Sequence, residues 1–206
     1  MVFIGGYIVK IFLDEKPIGE DYNNLTLPEI LAKIKSNLEN NILKKIFLNE
    51  VEVNEKYFRE ALIDIDDVKK IEFFTQDTSL LIKETLKEAS EYLPRLKDGT
   101  KKAAQLFRNS DDKSVQNYQL ILNGLEWYIE ALSQVTSLMN NEEYYQKGQN
   151  IINKINKILS DLMVAYNKED FVLVADILEY EIVETIEDLI EFNKVLILQI
   201  KASDNS

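Results

Sequence analysis

The chain has 206 residues, of which 46% are hydrophobic and 29% charged, and its formal net charge at pH 7 is −12. The length allows one large domain or two small ones, and the hydrophobic content argues against a disordered chain. A surface this negative repels phosphates and anionic lipids, so we expect no nucleic acid and no membrane as a partner and favour a basic protein. The alternative is that the acidity only keeps the protein soluble.

His and Cys are both absent from the sequence. Their absence removes the commonest general base, the commonest metal ligand and the commonest soft nucleophile together. The six glycines form neither a phosphate-binding loop nor a dinucleotide-binding pattern. We therefore predict a protein that is not an enzyme, with no catalytic residues, no cofactor and no metal.

The sequence also carries no targeting signal that we recognise. No stretch approaches the roughly 20 apolar residues that span a bilayer. The apolar opening Val2–Leu13 lacks the basic start and the cleavage site of a signal peptide. A sequence without Cys fits a reducing compartment, and we expect the protein to be cytoplasmic.

Up to residue 76, short runs typical of β-strands surround one helix. The runs are rich in β-branched residues, and Asn49-Glu50 lies between two of them as a two-residue hairpin signal. A turn over 14–17 follows the first strand, and Pro17 can lead only into an edge or the start of a second strand. The predicted strands are Tyr7–Leu13, Leu43–Leu48, Val51–Val53 and Val68–Phe74, with a short helix over Glu55–Leu62.

The main helix of this half has a clear start. Thr26 is a typical N-cap residue, and Pro28 and Glu29 follow at positions that suit the first turn of a helix. We expect the helix to end at Asn40-Asn41. One apolar face runs along it, made of Leu27, Ile30, Leu31, Ile34 and Leu38.

This order of elements, ββαββ(α)β, resembles a β-grasp, or ubiquitin-like, domain, and most closely the small sulfur-carrier proteins. The resemblance covers about residues 7–75, and the segments that carry it are Ile8–Asp14 with Pro17-Ile18, Thr26–Leu31, Ile46–Val53 and Asp66–Phe73. Sulfur carriers act through a free C-terminal Gly-Gly, whereas here Thr75-Gln76-Asp77 follows the last strand and the chain continues. The resemblance therefore implies a fold over 1–76 and not carrier chemistry.

From residue 77 onward the hydrophobic pattern is helical, with four long amphipathic segments and polar breaks at 109–112, 140–141 and 167–170. Short loops force neighbouring helices to run antiparallel, so we predict an up-down four-helix bundle over 77–206 and an α+β fold for the whole chain. Pro94 lies inside the first segment and must kink or split it. Gly124 and Gly148 indicate either close helix contact or a local break.

The last helical segment has the strongest charge signal, because eight acidic residues and no Lys or Arg lie between Asp170 and Glu191. Most fall on one side of a helical wheel, opposite the apolar stripe. We interpret them as a docking strip for a basic partner, with an ordinary solvated helix face as the alternative. The predicted partner-binding residues here are Asp176, Glu179, Glu184, Glu187, Asp188 and Glu191.

Aromatic residues supply the second candidate surface. Trp127 and Tyr128 lie in the second helical segment, and Tyr144 and Tyr145 open the third. The second and fourth segments are apolar on more than one side, so they either pack on two neighbours or leave a surface for a partner. The alternative is that these apolar and aromatic side chains are buried in the core. If they instead bind a partner, a second copy of the chain is one such partner, and the surface is then a homodimer face.

We therefore expect a non-catalytic cytoplasmic protein that binds another protein, such as an adaptor, an assembly factor or a secretion-type chaperone. Two alternatives remain open. One is an enzyme or small-molecule-binding protein that uses Asp, Glu, Lys and Tyr at the cleft between the two halves. The other is a structural homo-oligomer.

Overall fold

The computed structural model describes residues 2–4, 7–18, 22, 25–60 and 68–203. The chain divides into two compact units, Met1–Leu81 and Ile82–Ser206. The sequence pattern had indicated a boundary between 76 and 77. A mixed β-sheet dominates the first unit and helices make up the second, so the fold is α+β.

The strands of the first unit form one mixed sheet. They are β1 (Val2–Ile4), β2 (Tyr7–Leu13), β3 (Lys16–Pro17), β4 (Asn41–Leu48), β5 (Val51–Val53) and β6 (Lys70–Asp77). Five strands follow the order β1-β2-β6-β4-β5, and β3 pairs with β2. β2 and β6 run parallel, with Ile11 opposite Ile71, and the other described pairs are antiparallel. This arrangement is compatible with a β-grasp-like segment.

The turn between β4 and β5 is set by its two residues. Asn49 and Glu50 have φ angles of 46° and 72°, the left-handed conformation that a two-residue hairpin requires. The Asn49 carboxamide oxygen also accepts hydrogen bonds from the backbone N–H groups of Lys69 (2.8 Å) and Lys70 (3.1 Å). These bonds tie the turn to the start of β6, and the predicted hairpin is confirmed.

Two described helices belong to the sheet unit, α1 (Leu27–Ser36) and α2 (Glu55–Arg59). α1 begins as predicted, and the Glu29 carboxylate accepts a hydrogen bond of 2.7 Å from the backbone N–H of Thr26. The predicted end at Asn40-Asn41 is wrong, because Asn41 already pairs with Asp77 in the sheet. Residues 61–67, which include the end of the predicted helix over Glu55–Leu62, lie outside the described residues.

A single apolar core joins the sheet to these helices. Phe58 of α2 is fully buried, and its ring meets that of Phe73 on β6 edge-on at 5.6 Å. The apolar face of α1 packs into the same core. Its most deeply buried members include Val9, Ile11, Leu27, Ile30, Leu31, Ile34, Ile71 and Phe73.

The described part of the second unit consists of helices joined by short turns. Its helices are α3 (Thr78–Arg108), α4 (Ser114–Leu138), α5 (Glu142–Asn167), α6 (Phe171–Asp176), a π-helical segment (Ile177–Ile182) and α7 (Val183–Ser203). The three predicted breaks are confirmed as turns, and each has one residue with positive φ: Ser110 (51°), Asn140 (49°) and Glu169 (58°). Pro94 does not split α3. Because proline has no backbone N–H, the carbonyl of Ser90 lacks the helical hydrogen bond that it would otherwise accept from residue 94.

Gly124 and Gly148 both lie at close helix contacts, not at breaks. A Cβ at Gly124 on α4 would fall within van der Waals contact of the Tyr92 hydroxyl and 2.8 Å from a Leu96 methyl on α3. A Cβ at Gly148 on α5 would lie 3.0 Å from the methyl group of Thr136 on α4. Glycine thus lets α3, α4 and α5 approach one another around a common core.

Candidate functional site

The predicted acidic strip is largely paired within the chain. Arg108 at the end of α3 donates to Asp176 (2.8 Å) and to Glu179, and the bond to Asp176 raises the pKa of the guanidinium. Three further contacts are Lys97–Glu187 (3.5 Å), Lys154–Asp188 (2.9 Å) and Lys194–Glu191 (2.6 Å). Glu184 is exposed and forms no ion pair among the described residues.

These ion pairs limit how much negative charge the acidic strip can offer to a partner. Lys97 and Arg108 reach it from α3, and Lys154 reaches it from α5, so the strip lies between those two helices. An exposed ion pair contributes at most about 1 kcal/mol, so a basic partner can displace such a contact. The strip therefore offers negative charge to a partner only in exchange for existing pairs, apart from Glu184.

The four predicted aromatic residues lie in different environments. Tyr128 is 2% exposed and its hydroxyl has no hydrogen-bond partner among the described residues, and burial raises the pKa of this hydroxyl. Trp127 is half-buried, with its ring 5.0 Å from that of Tyr92 on α3. The Tyr144 hydroxyl donates to the Gln199 side chain at 3.2 Å.

Only those aromatic residues whose side chains are exposed in this structure can contact a partner. Tyr145 is 37% exposed, whereas Tyr128 belongs to the core. Tyr144 lies beside the end of α7, while Asp176 lies beside the end of α3. The structure does not gather the predicted aromatic and acidic residues into one site.

A different surface, which the sequence reasoning did not name as a site, carries a concentration of exposed hydrophobic side chains among the described residues. Among the residues that the structure describes, fourteen large hydrophobic side chains are exposed, and five of them lie within residues 163–173. We call these five the apolar patch: Met163 (56% exposed), Val164 (49%), Phe171 (42%), Val172 (69%) and Leu173 (44%). A usable signal was present, because Phe171, Val172 and Leu173 are consecutive and a helix buries only one face.

The turn between α5 and α6 brings the two halves of the apolar patch to the same end of the helical unit. The backbone N–H of Lys168 donates to the carbonyl of Val164 (3.2 Å), and that of Asp170 donates to the carbonyl of Ala165 (3.0 Å). The Asp170 carboxylate then caps α6 by accepting from the N–H of Leu173 at 3.1 Å. The chain thus reverses within three residues.

An aromatic cluster packs against the apolar patch through the ring of Phe171. The ring of Phe171 stacks on that of Phe107 (5.7 Å between centroids), and Tyr118 stacks on Tyr166 at 4.7 Å. Phe107 contacts both tyrosine rings edge-on. Burial raises the pKa of Tyr118. Phe171 is the member of the apolar patch whose ring packs against this cluster.

The π-helical segment continues from α6 next to this patch. Its Tyr180 is 63% exposed, and the Arg108 guanidinium lies 5.9 Å from the centre of its ring. Single turns of π-helix occur frequently at functional sites. Asp176, Glu179 and Tyr180 thus border the apolar patch with charge and an amphipathic ring.

Two further searches of the described residues gave negative findings. No group of three or more Asp, Glu, His or Cys is arranged to hold a metal ion there. None of the described helices is both long and apolar enough to cross a membrane.

Comparison with known proteins gave one match. Residues 84–192 match the profile of a family described as "Domain of unknown function (DUF8042)". The matched segment covers more than half of the 206 residues and lies within the helical unit, so it contains the apolar patch and the acidic strip. No match was found among curated proteins or among solved structures.

Proposed function

The chain belongs to the DUF8042 family, and we propose that it is a non-catalytic protein-binding module whose partner docks on the apolar patch of the helical unit. The observation that carries this proposal is the concentration of five exposed hydrophobic side chains within eleven residues. Exposed apolar surface of this kind, bordered by polar residues, marks interaction sites on soluble proteins.

The chemistry of the patch defines the partner. Phe171 and Val172 offer a hydrophobic contact area, and the ring of Phe171 stacks on that of Phe107 in the aromatic cluster. Glu169 and Asp170 lie in the adjoining turn, and no Lys or Arg occurs between Glu169 and Asn193. We therefore infer a partner segment that is apolar at its centre and basic at its edge, consistent with a net charge of −12 on this chain.

Within this proposal the protein is a cytoplasmic adaptor, assembly factor or secretion-type chaperone. We further propose that the helices of the second unit form an antiparallel up-down four-helix bundle, with α6, the π-helical segment and α7 as its fourth member. Contacts between α3 and α4, α4 and α5, α5 and α7, and α7 and α3 support this arrangement. The first unit, on this view, is a β-grasp-like domain.

The test is affinity capture from the native lysate with three full-length baits. They are the wild type, Val172→Asp in the patch and Val195→Asp on α7, where Val195 is 43% exposed and outside the patch. Burying an unpaired carboxylate against an apolar partner is costly, so Val172→Asp should reduce the captured amount about tenfold or more. The Val195→Asp control should capture as the wild type does.

Three results would contradict the proposal. The first is a wild-type bait that captures nothing, and the second is a partner that Val172→Asp retains in full. The third is a wild-type dimer, seen by light scattering, that Val172→Asp converts to a monomer, because the patch would then be a homodimer face. Circular dichroism of both variants establishes that they are folded.

A further inference from the structure

A groove separate from the apolar patch lies between the start of α3 and the end of α7. It has a volume of about 450 Å³, within the range of roughly 300–1,000 Å³ that is usual for small-molecule sites. We call it the α3–α7 groove. The described residues that line it are Leu86, Ile197 and Ile200, the hydroxyl-bearing Ser90, and the three lysines Lys83, Lys87 and Lys201.

The floor of the groove is apolar, and buried hydrogen bonds between α3 and α7 lie beside it. Asn193, which is 1% exposed, crosses from α7 and donates to the carbonyl of Leu86 (3.1 Å) and to the hydroxyl of Ser90 (2.9 Å). These buried bonds fix α7 against α3 directly at the groove. Leu86, Ile197 and Ile200 then present aliphatic side chains to whatever occupies it.

The charge of the groove is opposite to that of the chain. The described lining residues include three lysines and no Asp or Glu, although the chain as a whole carries a net charge of −12. Lys83 and Lys201 already interact with other groups of the protein. Lys87 is exposed and forms no ion pair among the described residues, so its ammonium group is the one that the site offers to a ligand.

We propose that the α3–α7 groove binds a linear aliphatic carboxylate of the fatty-acid class. The hydrocarbon chain lies on Leu86, Ile197 and Ile200, and the carboxylate lies at Lys87. An uncharged hydrocarbon would leave the ammonium group of Lys87 unused, and a small hydrophilic anion would leave the aliphatic floor exposed to water. The aliphatic carboxylate is the ligand that uses both features.

The test is isothermal titration of the full-length protein with dodecanoate below its micelle concentration, with 1-dodecanol as the uncharged probe. We expect saturable binding of one dodecanoate per chain and weaker binding of dodecanol. Decanoate, which is shorter by two methylenes, should bind up to about fifteen-fold more weakly, at about 0.8 kcal/mol per buried methylene. Amide shifts in NMR spectra should fall on residues 83–90 and 193–201.

Matched variants separate this site from other apolar surfaces. Lys87→Glu should weaken dodecanoate binding about five-fold or more and leave dodecanol binding unchanged. The control Lys101→Glu reverses an exposed charge on the same helix outside the groove, and Val172→Asp alters the apolar patch, so neither should change the affinity. Absence of saturable binding would overturn the proposal. So would amide shifts confined to residues 163–173, or an affinity that Lys87→Glu does not change.

Discussion

Replacing Tyr128 by Phe tests whether the buried hydroxyl of this residue lacks a hydrogen-bond partner in the folded protein. The Tyr128 side chain is 2% exposed, and its hydroxyl has no hydrogen-bond partner among the described residues. A buried polar group without a partner costs about 1–3 kcal/mol, and Phe keeps the ring while removing the hydroxyl. We expect the free energy of unfolding to rise by about 1 kcal/mol, the low end, because the vacated space loses some contacts.

Urea unfolding followed by circular dichroism measures this change. With a slope of about 1–3 kcal/mol per molar urea, a gain of about 1 kcal/mol raises the midpoint by roughly 0.5 M. The matched control is Tyr144→Phe, which removes the bond to Gln199 and should lower stability by about 0.5–1 kcal/mol. A Tyr128→Phe variant less stable than the wild type would refute the reasoning, because its hydroxyl would then have a partner.

Three further changes test other parts of the fold. Glu29→Ala should lower the unfolding midpoint of the first unit at pH 7, because the hydrogen bond from Thr26 lowers the pKa of this carboxyl below 4.5; the difference from the wild type should vanish as pH falls through the folded-state pKa. Burial raises the pKa of Tyr118 and Tyr128 above 10.0, so the urea midpoint should be constant just below pH 10 and fall as pH rises through the raised values. Phe58→Ala should cost the first unit about 3–5 kcal/mol, seen as loss of its sheet signal, whereas an unchanged midpoint would contradict the burial of that ring.

Local signals in the sequence predicted the turns and the starts of elements well. Asn49-Glu50 tolerates the left-handed backbone of its hairpin, and Asn140 does so between α4 and α5. The capping box of Thr26 and Glu29 acts over one turn of helix, so it can be read from neighbouring residues alone. The end of α1 could not be predicted from neighbouring residues, because the pairing of Asn41 with β6 depends on residues more than thirty positions away.

The surfaces were harder to predict, because they depend on which helix lies next to which. The acidic face of the last helix is evident from the sequence, but its partners Lys97, Arg108 and Lys154 come from two other helices. The sequence shows that the last segment is apolar on more than one side, but it does not decide which of these apolar residues, among them Phe171 and Val172, are left exposed. The π-helical segment likewise follows from packing, since its hydrogen-bond pattern has no sequence signature that we used.

The most direct measurement of the central claim is amide hydrogen exchange of the full-length protein with and without the captured partner. The account predicts slower exchange in the complex over residues 163–180, which hold the apolar patch and the start of the π-helical segment. Slower exchange confined to the first unit or to α4, with residues 163–180 unchanged, would contradict it.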